Sequence, residues 1–231
     1  MDFLKNDFFL LALTFSTYFA AKQLQKKTGW ILLNPILLTI AALIAFLKLA
    51  DISYETYNHS GHLIEFWLKP AVVALGVPLY LQLESIKRQL LPIILSQLAG
   101  CITGILSVVF IAKALGASQE VIYSLAAKSV TTPIAMEVTK SIGGNPSLTA
   151  VVVIFVGLLG AICGFKILYW LKINSPIAQG LSMGTASHAV GTSAAMTISD
   201  KYGAYASLGL TLNGIFTALL TPTILRLAGL L

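Results

Sequence analysis

Lys128-Ser-Val-Thr-Thr-Pro133 interrupts an apolar stretch running from about residue 119 to 141, and His188-Ala-Val-Gly-Thr-Ser193 interrupts another from about 176 to 200. Pro133 has no N–H to donate, and Gly191 tolerates backbone angles that other residues avoid. Neither stretch is expected to continue as one unbroken helix. Backbone that leaves helical geometry at bilayer depth must be sheltered by protein or line a watery cavity. The two interruptions thus set the kind of membrane fold, and the rest of the chain sets that it is one.

Of the 231 residues, 57% are hydrophobic and only 10% charged, whereas soluble domains carry about 25% charged residues. There is too little polar side chain to cover a water-facing surface. At about 20 apolar residues per crossing, the length allows roughly eight crossings and no added soluble domain. Continuous spans are expected near 7–22, 30–49, 64–82, 90–114, 147–170 and 203–227. The predicted fold is an all-α polytopic membrane protein, a single membrane domain over 1–231. It has about six continuous transmembrane helices plus two broken or re-entrant ones. Residues 1–118 read as scaffold-like helices, 119–175 as a first repeat and 176–231 as a second. The span at 64–82 contains Pro70, Gly76 and Pro78, so it is expected to be kinked or partly unwound, for packing or for function.

The net charge of +6 comes from lysines placed mostly at the ends of apolar runs, where cytoplasmic loops collect positive charge. No basic patch is interleaved with exposed aromatics, so nucleic acid is not an expected partner. The run 8–21 is preceded by Asp2 and Asp7 against Lys5 and followed by Lys22, Lys26 and Lys27. A secretory signal has the opposite charge order, and the run reads as the first transmembrane helix. Cys101 and Cys163 lie in apolar stretches without metal spacing and read as packing thiols.

The interrupted stretches resemble each other. At an offset of 60 residues, Val130 meets Val190, Thr132 meets Thr192, Ala135 meets Ala195 and Met136 meets Met196; Gly143, Ser147 and Leu148 meet Gly203, Ser207 and Leu208. Lys128 falls opposite His188. Paired broken helices at corresponding positions point to a transporter binding site, and such repeats often have opposite orientation. Inversion follows here if each broken stretch is a hairpin that enters and leaves on one side. With Lys22–Lys27 in the cytoplasm, hairpins place eight basic residues inside and six outside, against seven and seven for full crossings. Charge bias favours hairpins, and both models leave the two termini outside.

Helices restarting near Ile134 and Ser193 would present unpaired N–H groups and partial positive charge. Ser129, Thr131, Thr132, Thr192 and Ser193 add hydroxyls, Lys128 a full charge, and His188 a group able to carry a proton. The expected substrate-binding set is Lys128, Ser129, Thr131, Thr132, Pro133, His188, Gly191, Thr192 and Ser193, and the ligand it suits is a small carboxylate. Two readings stay open for several members. Lys128 is a site cation or one half of an ion pair with Glu137. His188 is functional or a satisfied packing histidine. Glu137 is a counter-ion or a proton carrier. Asn213, deep in the last span, is expected to hydrogen-bond unwound backbone. Gly157, Gly160 and Gly164 are expected to serve close helix packing. His59 and His62, with Asp51 and Glu55 nearby, read as a solvated loop over 51–62 rather than a metal site. No nucleophile elbow, zinc-protease motif or phosphate-binding lysine loop occurs, so an enzyme is not expected.

The pieces Lys69-Pro-Ala-Val-Val-Ala-Leu-Gly-Val-Pro-Leu-Tyr80, Lys128-Ser-Val-Thr-Thr-Pro-Ile-Ala-Met-Glu137, Ile142-Gly-Gly-Asn145 and Ser187-His-Ala-Val-Gly-Thr192 resemble the LrgB family over nearly the whole chain. The resemblance implies a holin/antiholin-like protein that affects murein hydrolase activity and lysis beside a small LrgA-type membrane partner. The family also resembles the membrane domain of the plant plastid glycolate/glycerate translocator, and related bacterial systems are associated with pyruvate uptake.

Residues and resemblance together predict a secondary transporter of a small monocarboxylate of the glycolate, glycerate, lactate or pyruvate type in the plasma (inner) membrane. One repeat-containing unit would move against a scaffold of the first four spans. The expected coupling ion is H+ or Na+, with no cofactor and no metal. A homodimer is expected by analogy with other repeat carriers. The rival expectation is a holin-like lysis regulator.

Overall fold

A computed structural model describes residues 2–28, 33–74 and 76–231, and among them every regular element is helical. A short 3-10 turn, Asp2–Lys5, precedes α1 (Asp7–Thr28), α2 (Pro35–Leu49) and α3 (Tyr54–Ala74). Then follow α4 (Gly76–Leu81), α5 (Leu83–Arg88), α6 (Leu90–Ala114), α7 (Gln119–Ala126), α8 (Thr132–Ser141), α9 (Pro146–Trp170), α10 (Pro176–Met196) and α11 (Asp200–Leu227). Three of these, α6, α9 and α11, have the length and apolar composition needed to cross a membrane. They carry Phe110, Ile111, Val151, Phe155, Ile215 and Leu219 on exposed faces. Large apolar side chains spread outward in this way suit a hydrocarbon solvent and not water.

The chain forms two compact units, residues 1–74 and 75–231. In the first, α1 packs against α2 and α3. Leu10 is fully buried, and Thr14 and Tyr57 share a hydroxyl–hydroxyl bond of 2.9 Å. The expected loop over 51–62 is corrected here: α3 starts at Tyr54. Ser53 accepts the Thr56 N–H at 3.3 Å and so supplies a helix-start bond. His59 and Ser60 then sit on a helical face that meets Asp7, with Ser60 donating to the Asp7 carboxylate at 2.6 Å. No cluster of three metal-ligating side chains occurs among the described residues. The interrupted third span appears as two helices, α3 and α4. Residue 75 between them, and the side chains of Lys69 and Pro78, lie outside the described residues.

In the second unit, α6 shares one compact body with both interrupted stretches. The first interruption falls at residues 127–131, between α7 and α8. Pro133 lies in the first turn of α8, where a missing N–H costs nothing. The chain folds back there. Asn145 N–H donates to Ser124 Oγ at 2.8 Å, and Thr149 Oγ1 to the Ser124 carbonyl at 2.9 Å. One continuous helix would hold residues 124 and 145 about 32 Å apart (21 residues at a rise of 1.5 Å).

The second interruption lies earlier than expected. Ser187 (φ −130°) and His188 (φ 41°, ψ −137°) break α10, whereas Gly191, Thr192 and Ser193 are helical. The restart expected near Ser193 therefore occurs some four residues sooner. Gly191 serves close approach: a Cβ there would stand 2.5 Å from the Met183 carbonyl oxygen and 2.6 Å from Ser187 Cβ. Met183 and Gly191 can meet only because the two arms of α10 double back. The first arm runs alongside α11 through glycines, with Gly184 against Ala206 and Gly209 against Leu181. It runs antiparallel to α9, where Gly157, Gly160 and Gly164 meet His188, Ser187 and Met183 in turn. Glycines let two backbones approach within the reach of van der Waals packing, which drives helix association in lipid.

Candidate functional site

A cavity of about 1040 Å³ runs along α6, α9 and the first arm of α10. Along α6 and the residue before it, the lining extends from Gln89 to Ile105, about 24 Å (16 residues at 1.5 Å). Most of the wall is apolar, with Ile93, Leu159, Leu168, Leu181 and Met183 among the lining side chains. Lys128, Ser129, Ser187, Asn213 and Thr217 stand where the cavity meets the two interruptions, and further polar side chains, Ser96, Gln97 and Ser182 among them, are spread along its length.

Lys128 follows α7 after one residue, Ala127, so its side chain leaves a helix C-terminus, where a cation is favoured. Its Nζ donates to the Gly104 carbonyl at 3.4 Å and to Ser129 Oγ at 3.2 Å. The expected alternative, an ion pair with Glu137, does not form. Glu137 is exposed on α8, and the ion pair present among the described residues joins His59 and Asp7. Among the described residues the ammonium thus stands half-buried without an anionic partner, an arrangement membrane interiors tolerate at a cost and reserve mostly for function.

Asn213 ties the two interruptions together. Its Nδ2 donates to the Ser129 carbonyl at 3.1 Å and to the Thr185 carbonyl at 2.9 Å. One amide thereby satisfies an unwound carbonyl of the first break and a carbonyl next to the second. Asn213→Asp keeps the shape but replaces the donors with an acceptor and strands both carbonyls. The expected cost is about 1–2 kcal/mol, read as a lower midpoint of thermal unfolding in detergent; an unchanged midpoint would remove the clasp from the account.

The remaining expected residues lie elsewhere. His188 is 4% exposed, and its Nε2 donates to the Val153 carbonyl at 2.9 Å. It faces α9 and does not line the cavity, which is the packing alternative of its two readings. Thr192 is buried and donates to the His188 carbonyl at 2.9 Å. Gly191 is buried in the fold-back, and Ser193 and Pro133 are exposed. Thr131 and Thr132, at the start of α8, also stand off the lining. The cavity therefore touches the C-terminal ends of the first arms and not the N-terminal ends of the second. Positive charge in it comes from the Lys128 ammonium rather than from helix-start N–H groups.

Four lining residues carry chemistry that the motif reading passed over: Gln97, Thr185, Ser187 and Thr217. Gln97 is 3% exposed and accepts a hydrogen bond from Thr185 Oγ1 across the cavity wall. Thr217 exchanges a contact of 3.4 Å with Cys101 Sγ. An amide inside the apolar run of α6 was a usable signal, since polar side chains at membrane depth seldom lack a partner or a role.

The LrgB-like family model matches residues 14–227. The protein named Uncharacterized protein YwbG of Bacillus subtilis is 38% identical over 215 residues, covering 93% of this chain and 96% of its own. Uncharacterized protein YxaC of the same organism is 36% identical over 218 residues, 94% and 95% of the two chains. The Antiholin-like protein LrgB of B. subtilis is 32% identical over 230 residues, 99% and 100% of the two chains. No solved structure matches. With three membrane-length apolar helices among the described residues and a family match across nearly its whole length, the chain is a membrane protein that belongs to the LrgB-like family.

Proposed function

We propose that the protein is a secondary carrier of small monocarboxylates of the glycolate, glycerate, lactate or pyruvate type. The observation that carries this reading is the Lys128 ammonium, which stands at one end of a long cavity with, among the described residues, only a carbonyl and a hydroxyl as partners. A carboxylate docked there gains a charge-assisted hydrogen bond in a medium of low dielectric. The hydroxyls of Ser129, Ser187 and Thr217 are at hand for its second oxygen and a 2-oxo or 2-hydroxy group.

The fold is read as two copies of a hairpin followed by a long helix, related by inversion. In support, α9 starts beside α7, through Thr149 and Ser124. The positions 60 residues on, 184 and 209, likewise lie at an α10–α11 contact. The second hairpin then runs antiparallel to α9. The two interrupted stretches enter and leave the plasma (inner) membrane on one side each, with both termini outside. Transport is driven by H+ or Na+, and the working unit is a dimer, with or without a small LrgA-type partner.

Uptake of radiolabelled pyruvate, lactate and glycolate into proteoliposomes tests the proposal. Saturable uptake with counterflow is expected for at least one of them; background flux for all three would end it.

A second reading, a holin/antiholin-like regulator of murein hydrolase activity, draws support from the relative named Antiholin-like protein LrgB. A pore of that kind would give non-saturating, unselective leakage and no counterflow in the same vesicles.

A further inference from the structure

The cavity is far larger than a two- or three-carbon acid needs, and its character changes along its length. At the breaks it offers Lys128, Ser129, Ser187, Asn213 and Thr217. Away from them, its walls are mostly apolar, with Ile93, Leu159, Ile167, Leu168, Ile177 and Leu181, broken by the hydroxyls of Ser96, Ser175 and Ser182 and by Gln89 at its far end. Its volume of about 1040 Å³ lies at the upper end of the range of pockets that enclose drug-sized ligands, roughly 300–1,000 Å³. One cation at the end of a long apolar slot is complementary to an acid with a hydrocarbon tail.

We infer that the apolar length of the cavity is a tail-binding subsite, and that the preferred substrates are monocarboxylates carrying a hydrocarbon chain. The carboxylate sits at Lys128 and the tail extends along α6 and α9 towards Ile177. This inference rests on the carboxylate-binding reading above and narrows it to amphiphilic acids. Each methylene moved from water into the slot contributes about 0.8 kcal/mol. Affinity should therefore rise roughly fourfold per added methylene until the slot is filled.

The chain carries its own reporter. Cys163 is half-buried and lines the cavity. It lies one turn beyond Gly160, which meets Ser187 at the second break. An acid confined to the Lys128 end leaves it open, while a tail along the slot covers it.

The experiment uses the full chain in nanodiscs with pyruvate, 2-oxobutyrate, 2-oxohexanoate and 2-oxooctanoate, and with octanol as the uncharged control. Two quantities are read: the rate of Cys163 alkylation by a small maleimide, located by mass spectrometry, and inhibition of pyruvate uptake in proteoliposomes. Protection of Cys163 is expected to grow with tail length. The half-inhibiting concentration should fall roughly fourfold per methylene, and octanol should protect far less than 2-oxooctanoate. In Leu168→Trp, which narrows the slot, the dependence on tail length should flatten. A flat series with pyruvate uptake intact would overturn the tail subsite and leave the carrier standing. Equal protection by octanol, or an unaltered slope in Leu168→Trp, would place the tail effect in the lipid and overturn it as well. Absence of pyruvate uptake and of carboxylate-dependent protection would instead strike the carrier reading itself.

Discussion

Lys128→Ala is expected to weaken carboxylate binding by roughly tenfold to a hundredfold, because a hydrogen bond to a charged group contributes about 1.5–3 kcal/mol. The apparent affinity for pyruvate in proteoliposome uptake reads this directly. Stability should move the other way or not at all. The ammonium has no carboxylate to strand among the described residues, and its removal frees the site of a costly half-buried charge. A structural lysine would behave differently: its loss would lower the thermal midpoint and leave the affinity of the surviving protein intact. Lys128→Met repeats the test with the length of the side chain kept. Unaltered affinity in both variants would remove Lys128 from the site and the carboxylate reading with it.

Gly184→Val should be the most damaging single substitution to the fold. A Cβ at Gly184 would fall on the Ala206 carbonyl oxygen and 2.8 Å from Leu210 N. Both obstacles are backbone of α11, so no side-chain rotation gives relief, and the helices must separate. Overpacking costs about 1–3 kcal/mol where neighbours can yield; here the top of that range or beyond is expected. The neighbouring glycines are also closely approached: a Cβ at Gly180 would stand 2.8 Å from the Tyr202 carbonyl oxygen, and one at Gly209 2.5 Å from that of Leu181. Helix separation would also break the Asn213 bridge to Thr185. The expected result is loss of monodisperse protein on size exclusion in detergent. Gly61→Ala is the contrast, since nothing lies within 4 Å of its Cβ position. A helical Gly→Ala change then brings about 1 kcal/mol of propensity. Equal behaviour of the two variants would refute close backbone contact between α10 and α11.

Much of this was legible in local chemistry. Pro133 marks the first interruption because a missing N–H has the same consequence in any surroundings. Asn213 was expected to bond unwound backbone, and its amide does so at Ser129. The glycines of α9 were assigned to packing, and they seat Met183, Ser187 and His188. The spacing of Gly180 and Gly184, one helical turn apart, is the same small-residue signal for α10, and both glycines face α11. The second break was misplaced for a definite reason. Gly191 was taken as the residue that needs unusual angles, but a glycine also serves where backbones touch. The unusual φ fell on His188 instead, held by its bond to Val153.

The sequence by itself determined the membrane class, the helical content and the existence of two interruptions. Each of these follows from composition or from the covalent limits of single residues. Which side chains share a cavity was decided only by the tertiary structure. Lys128 and His188 occupy corresponding positions 60 residues apart, yet one lines the cavity and the other is buried against α9. The side-chain direction at a break depends on what packs beside it, and the glycine face of α9 is present at one break only. Gln97, Thr185, Ser187 and Thr217 come from three separate helices, and no spacing along the chain could bring them together before those helices packed.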